Sequence, residues 1–198
     1  TLEDKGVTFE GADTTDLTNS QYLGVPPQLD ALSGVGRPRL VTVQLGGNDA
    51  DLFSDAIRRC GDAAADDPYG APCTERDSAD LFASIDTTIF PSLRVALRRI
   101  KIGAQGARVL VVGYPYLVPR TTGCYPRVRV AAGDVPMVRK LENALNNSIR
   151  RAADESGVQF VDVAAASNGR DACAAPETRW VEPQEGSRTA ATMHPNER

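Results

Sequence analysis

Short apolar runs alternate along this chain with longer stretches in which an apolar residue returns every third or fourth position. The runs are Val41-Thr-Val-Gln-Leu45, Ala107-Arg-Val-Leu-Val-Val112 and Val158-Gln-Phe-Val-Asp-Val163, each with a glycine on at least one flank. The first two predict buried strands, the second of the continuous parallel kind, and the third predicts the next strand. Val7-Thr-Phe9, which breaks at Gly11, predicts one more short strand. Ile85, Ile89, Leu93, Leu97 and Ile100 mark one face of a long helix closed by Gly103 and Gly106. Pro91 lies inside it and predicts a kink or a fresh start, because proline lacks the N–H and crowds the preceding turn. A second stripe, Val138, Leu141, Leu145, Ile149 and Ala152, follows an Asp134 cap with Pro136 in the first turn and stops at Gly157. Helical spacing from Ala50 to Ile57 fades near Cys60, and Pro26-Pro27 opens a brief helix, Gln28 to Leu32, ended by Ser33-Gly-Val-Gly36. Residues 61–77 and 114–134 predict loops, and residues 164–198 are polar and irregular. Strand and helix in alternation predict an α/β fold, a parallel sheet with helices on both faces.

Composition narrows the function. At 198 residues and 41% hydrophobic content, the chain suits one domain with a substantial core. A net charge of -4, with arginines scattered among acids, leaves no basic stripe to follow phosphates, so nucleic acid is not an expected partner. No apolar run reaches the roughly 20 residues that a bilayer span needs. Thr1-Leu-Glu-Asp-Lys5 lacks the charged-then-apolar order of a secretory signal, and any targeting segment is expected to have been removed. The four cysteines, Cys60, Cys73, Cys124 and Cys173, lack zinc-site spacing, and one histidine offers little else to a metal. No metal and no cofactor are expected. Free thiols fit this pattern less well than two disulfides, Cys60 with Cys73 and Cys124 with Cys173, which imply an oxidising, extracellular compartment.

Gly46-Gly47-Asn48-Asp49 ends the second predicted strand, where the crevices of open parallel sheets lie. Two glycines let the backbone and the Asn48 amide approach a substrate, and a neutral, oriented amide donor suits a developing oxyanion. Taken alone, the segment is equally a turn with a helix N-cap. The single histidine, His194, lies in Met193-His-Pro-Asn196, where a solitary histidine in a polar tail is more often a bystander than a catalyst.

Together these segments resemble the SGNH hydrolases of the GDSL esterase/lipase superfamily, in the branch of secreted actinobacterial-type lipases with several disulfides. Glu10-Gly-Ala-Asp-Thr-Thr-Asp-Leu17 resembles the family's second block, Gly46–Asp49 its third and His194-Pro-Asn196 its last. The resemblance implies a flavodoxin-like three-layer α/β/α fold. It also implies carboxylic ester hydrolysis through a serine acyl-enzyme, with Gly11 and Asn48 in the oxyanion hole and His194 as general base. A small ester or lipid would be the substrate, in a secreted monomer. Two departures accompany it. The family's aspartate three residues before the histidine is here Ala191, so a backbone carbonyl from Ala191 or a neighbour is expected to orient the imidazole, unless Asp162, Glu182 or Glu185 substitutes. The family's Gly-Asp-Ser block occurs nowhere in the sequence, and Ser20, Ser33 and Ser54 do not end strands. The resemblance thus implies a domain lacking its first strand and last helix, with the nucleophile outside these residues. A non-catalytic ligand-binding domain and an O-acyl transferase are the alternatives on the same scaffold.

Overall fold

The computed structural model describes residues 6–34 and 38–198. Three parallel strands form the sheet, β1 (Leu40–Val43), β2 (Arg108–Val112) and β3 (Gln159–Val161), in the order β1-β2-β3. Pairing is in register, Val41 beside Val109 and Val43 beside Val111, with Val111 beside Phe160. Among the described residues five α-helices accompany it: α1 (Asp30–Gly34), α2 (Leu52–Asp66), α3 (Pro72–Ser84), α4 (Phe90–Gly103) and α5 (Val135–Ser156). No described helix is long and apolar enough to cross a membrane.

The alternation of side chains decides which face of the sheet is packed. Val109 and Val111 of β2 are fully buried in one core with Leu93, Leu97 and Ile100 of α4 and Leu145 and Ile149 of α5. This is the 3.6-residue stripe of each helix meeting the two-residue period of the strand. The opposite face, with Leu40, Thr42, Leu110 and Val112, is exposed or half-buried. Among the described residues, β1 pairs only with β2, and its other edge is open. The expectation of a buried second strand is therefore corrected. Leu40 is 52% exposed because it lies at an edge and on the less covered face.

Two more expectations change. Val7–Phe9 is irregular, with Val7 half-buried and Thr8 and Phe9 exposed, and Phe9 lies edge-on against Tyr22 at 6.4 Å. The loop expected over residues 61–77 is mostly helix, as α2 runs to Asp66 and α3 starts with Pro72 in its first turn. Cys60 and Cys73, both fully buried, join these two helices by a disulfide. Pro91 does mark a new start: a π-turn at Ile85–Ile89 precedes α4 and links it to α3. Residues 114–131 form the expected loop, tied to the C-terminal region by the Cys124–Cys173 disulfide. The expected helix stop at residues 33–36 lies partly outside the described residues.

Asp134 precedes α5 but does not cap it. Its buried carboxylate accepts from the Cys73 and Thr74 amides at 3.1 and 2.7 Å and from the Thr74 hydroxyl at 2.6 Å. One aspartate thus caps the start of α3 from the start of α5, satisfying free amides of α3 at its positive end.

Candidate active site

The chain leaving β1 buries Leu45, Gly46 and Gly47 before presenting a half-buried Asn48. Gly46 has φ +113, a conformation L side chains rarely adopt. Gly47 is needed for a different reason: a Cβ there would lie 2.3 Å from the Phe53 ring and 2.9 Å from Tyr114. The space next to this glycine is filled by aromatic packing, whereas the sequence had pointed to substrate approach. Phe53 and Tyr114 meet edge to face at 5.0 Å, and the Gly47 N–H donates to the Tyr114 hydroxyl at 3.1 Å. Burial pushes the Tyr114 phenol up to about 12, so it stays protonated as part of this platform.

Beyond Asn48 the backbone is strained. Ala50 and Asp51 both have left-handed backbones, with φ 52 and 55, before α2 begins. Non-glycine residues there cost on the order of 1–3 kcal/mol each and persist only where the surroundings over-determine them.

The Gly11 segment is laced to this turn by two contacts. The Asn48 Nδ2 donates to the Ala12 carbonyl at 3.0 Å. The Asp49 carboxylate accepts from the Thr14 amide at 3.1 Å and from the Thr14 hydroxyl. Burial raises the Asp49 pKa, and the Thr14 hydrogen bonds work against that rise. Gly11 itself has φ +75 at an exposed turn with room for a side chain, so backbone conformation alone calls for glycine. The structure thus brings the Gly11 turn and Asn48 together, as expected. Thr14 and Asp49, which hold them there, gave no advance signal beyond lying in the two blocks.

His194 follows Met193, another left-handed residue with φ 61. The expected backbone acceptor is displaced by one residue: the Ala191 carbonyl takes the His194 backbone N–H at 3.1 Å, and the Thr192 carbonyl faces Nδ1 at 2.8 Å. The Ala191 carbonyl instead closes the tight turn at 191–194. A carbonyl only accepts, so this contact keeps the proton on Nδ1 and leaves Nε2 as the basic nitrogen. Among the described residues, the carboxylate that meets Nε2 is that of Glu10, at 3.6 Å and largely exposed. That contact places His194 beside the Gly11 turn. Asp162, Glu182 and Glu185 do not reach the ring: Asp162 pairs with Arg150, Glu185 with Arg129, and Glu182 with Arg179. Among the described residues no group of His, Cys, Asp and Glu is arranged to hold a metal ion.

A parallel α/β sheet with an amide laced to a glycine turn beyond β1, and an imidazole beside that turn, fits the SGNH hydrolase type. The chain belongs to the GDSL-like lipase/acylhydrolase family, whose model matches residues 3–198. It is 42% identical over 193 residues to lipase 2 of Streptomyces coelicolor, covering 96% of this chain and 65% of that protein. An esterase of Streptomyces scabiei is 28% identical over 174 residues, 75% of this chain and 50% of its own length. The chain therefore spans between half and two thirds of these two relatives. Two solved structures share the fold at 24% identity. Phospholipase A1 of Streptomyces albidoflavus matches with a TM-score of 0.74 over 96% of this chain and 72% of that one. The extracellular lipase of Streptomyces rimosus matches with 0.69 over 93% and 70%.

Proposed function

We propose that this chain is the larger part of a single-domain, secreted carboxylic ester hydrolase that works through a serine acyl-enzyme. The serine is carried by a strand outside these residues, since no Gly-Asp-Ser block occurs among them. The open edge of β1 is the seat for that strand, because parallel strands are normally paired on both sides and covered on both faces. The serine hydroxyl attacks the ester carbonyl and passes its proton to Nε2 of His194. The carbonyl oxygen, now an anion, accepts from the Gly11 N–H and from Asn48. Collapse expels the alcohol, which takes the proton from Nε2, and water repeats the sequence to release the acid.

The observation that carries this reading is the Asn48 side chain. An amide has two donor hydrogens, and one of them is fixed on the Ala12 carbonyl. The bond sets the orientation and leaves the second hydrogen for an oxyanion, so no reorganisation is needed as charge develops. Secretion is supported by the two disulfides and by the family.

The test uses the polypeptide that includes the nucleophile strand. A fluorophosphonate is expected to label one serine upstream of Thr1, and Asn48→Ala to lower kcat on a nitrophenyl ester by about 10²–10³ with little change in KM. Unchanged kcat would remove Asn48 from the oxyanion hole. No label at all would favour a non-catalytic binding domain.

A further inference from the structure

His194 belongs to a segment without regular structure, yet a buried and densely hydrogen-bonded ion pair lies beside it. Arg179 and Glu182 have side chains only 3% and 2% exposed and are paired by two hydrogen bonds, Arg179 Nε donating to Glu182 Oε1 at 3.2 Å and Nη2 to Oε2. Glu182 also accepts from the Arg188 amide at 2.9 Å, the Thr189 hydroxyl at 3.0 Å and Asn196 Nδ2 at 3.1 Å. Arg179 Nη2 donates to the Gly186 carbonyl at 3.1 Å, and Asn196 Nδ2 to the Arg179 carbonyl at 3.0 Å. Burial raises the Glu182 carboxyl, but these donors outweigh it and hold it down at about 2. The carboxylate thus binds the chain both before His194, at residues 188 and 189, and after it, at residue 196.

The backbone of Glu182 completes the clamp. Its N–H donates to the His194 carbonyl at 3.0 Å, and its own carbonyl accepts from the Met193 N–H at 2.8 Å. Val181 bridges Pro195, and the Asn196 N–H donates to the Trp180 carbonyl at 2.8 Å. Met193 is thereby held in its left-handed conformation, which turns the imidazole toward the Gly11 side of the crevice.

A buried ion pair is poor value as a source of stability, because desolvation offsets much of its Coulomb attraction. Fully satisfied, such a network instead fixes one arrangement of the chain around it. We infer that the Arg179–Glu182–Asn196 cluster positions His194, holding the imidazole where Nδ1 meets the Thr192 carbonyl and Nε2 faces the Gly11 turn. This rests on the reading of His194 as the general base. None of the three touches substrate; they act through the histidine.

The test is made on the polypeptide with its nucleophile strand, labelled with ¹⁵N-histidine. Two-bond ¹H–¹⁵N correlation reads the tautomer of His194 at a pH where the ring is neutral, assigned by its loss in His194→Gln. The wild type is expected to show one tautomer, protonated at Nδ1. Glu182→Gln keeps the side-chain shape and is expected to give the mixture of a free imidazole, with kcat lower by about 10²-fold and KM nearly unchanged, as misplacement of a reacting group costs on that order. Asn196→Ala leaves the ion pair in place and keeps the test open if Glu182→Gln does not fold. It is expected to show the same mixing with a smaller loss of kcat. A single Nδ1-protonated tautomer with unchanged kcat in the folded variants would overturn the positioning role. Retained turnover in His194→Gln would overturn the reading of His194 as base, while the tautomer spectra still decide whether the cluster holds the ring.

Discussion

The turn after β1 and the turn before His194 present their chemical side chains by opposite means. The first is dry and aromatic: Gly47 fits against Phe53 and Tyr114, and the sheet behind it is continuous with the core of α4 and α5. The second has no strand or helix beneath it and is built around a buried carboxylate and guanidinium. Packing tolerates no added volume, whereas a polar network tolerates no lost partner. Both turns include left-handed non-glycine residues, Ala50 and Asp51 in one and Met193 in the other, so each means of support maintains a strained backbone next to the chemistry.

The sharpest way to break the comparison is Gly47→Ala. Its methyl would lie 2.3 Å from the Phe53 ring, inside contact distance of a group that cannot swing away without leaving Tyr114. Overpacking of this kind costs about 1–3 kcal/mol. Urea denaturation is expected to show that loss, and ester turnover is expected to fall because Asn48 is the next residue. The Nδ1–H signature of His194 is expected to survive in the folded fraction. Loss of that signature would mean that the two turns are mechanically one unit.

These two supports were not equally legible in the sequence. α4 and α5 are legible as periodic apolar stripes and β2 and β3 as short apolar runs, and the two stripes meet Val109 and Val111 of β2 in one core. The edge position of β1 did not, since exposure at an edge depends on which strands are neighbours, and the run Val41–Leu45 looks the same in either place. The helical stretch from Gly61 to Asp66 was hidden by a glycine and alanines that give no periodic stripe, while its burial comes from packing on α3 and the Cys60–Cys73 disulfide. Gly11, Asn48 and His194 came from resemblance to a family, and the structure brings them to one end of the sheet. Thr192 is one of the neighbours of Ala191 that the expectation covers, but nothing singles it out, because its contact with the imidazole is made by its main chain. Glu182 is one of the carboxylates the sequence offers to the imidazole, whereas its actual partners, Arg179 and Asn196, are fixed by a chain reversal that no local pattern encodes.

Two buried glutamates extend the comparison to pH. Glu142 sits on α5 and accepts the Leu117 N–H at 2.7 Å through Oε1, while Oε2 has no partner among the described residues. Burial pushes its carboxyl up to about 8, against the pull of the Leu117 amide and Arg139. The folded state then binds more protons than the unfolded one between the ordinary 4.5 and about 8, so stability falls as pH rises through that window. Glu182 has the opposite sign. Its pKa is held at about 2, so its contribution is complete above the ordinary 4.5 and is lost as pH falls toward 2. Urea melts across the acid to mildly alkaline range are expected to show both slopes. Glu142→Gln is expected to flatten only the upper one, and a wild-type slope retained in that variant would assign it to another group.

The smallest effect is expected where the two turns meet, at Glu10. Its carboxylate lies 3.6 Å from Nε2 of His194, the nitrogen that takes the serine proton in the proposed mechanism, and its side chain is 72% exposed. The pair exists only when the ring is charged, and exposed pairs of this kind are worth about 0–1 kcal/mol. Had Glu10 replaced the missing aspartate, it would face Nδ1, and that place is taken by the Thr192 carbonyl. Glu10→Gln is therefore expected to change kcat by no more than about fivefold, the ceiling set by such a pair, and the difference is expected to shrink as salt is added. A loss of 10²-fold or more that is indifferent to salt would make Glu10 part of the proton transfer itself.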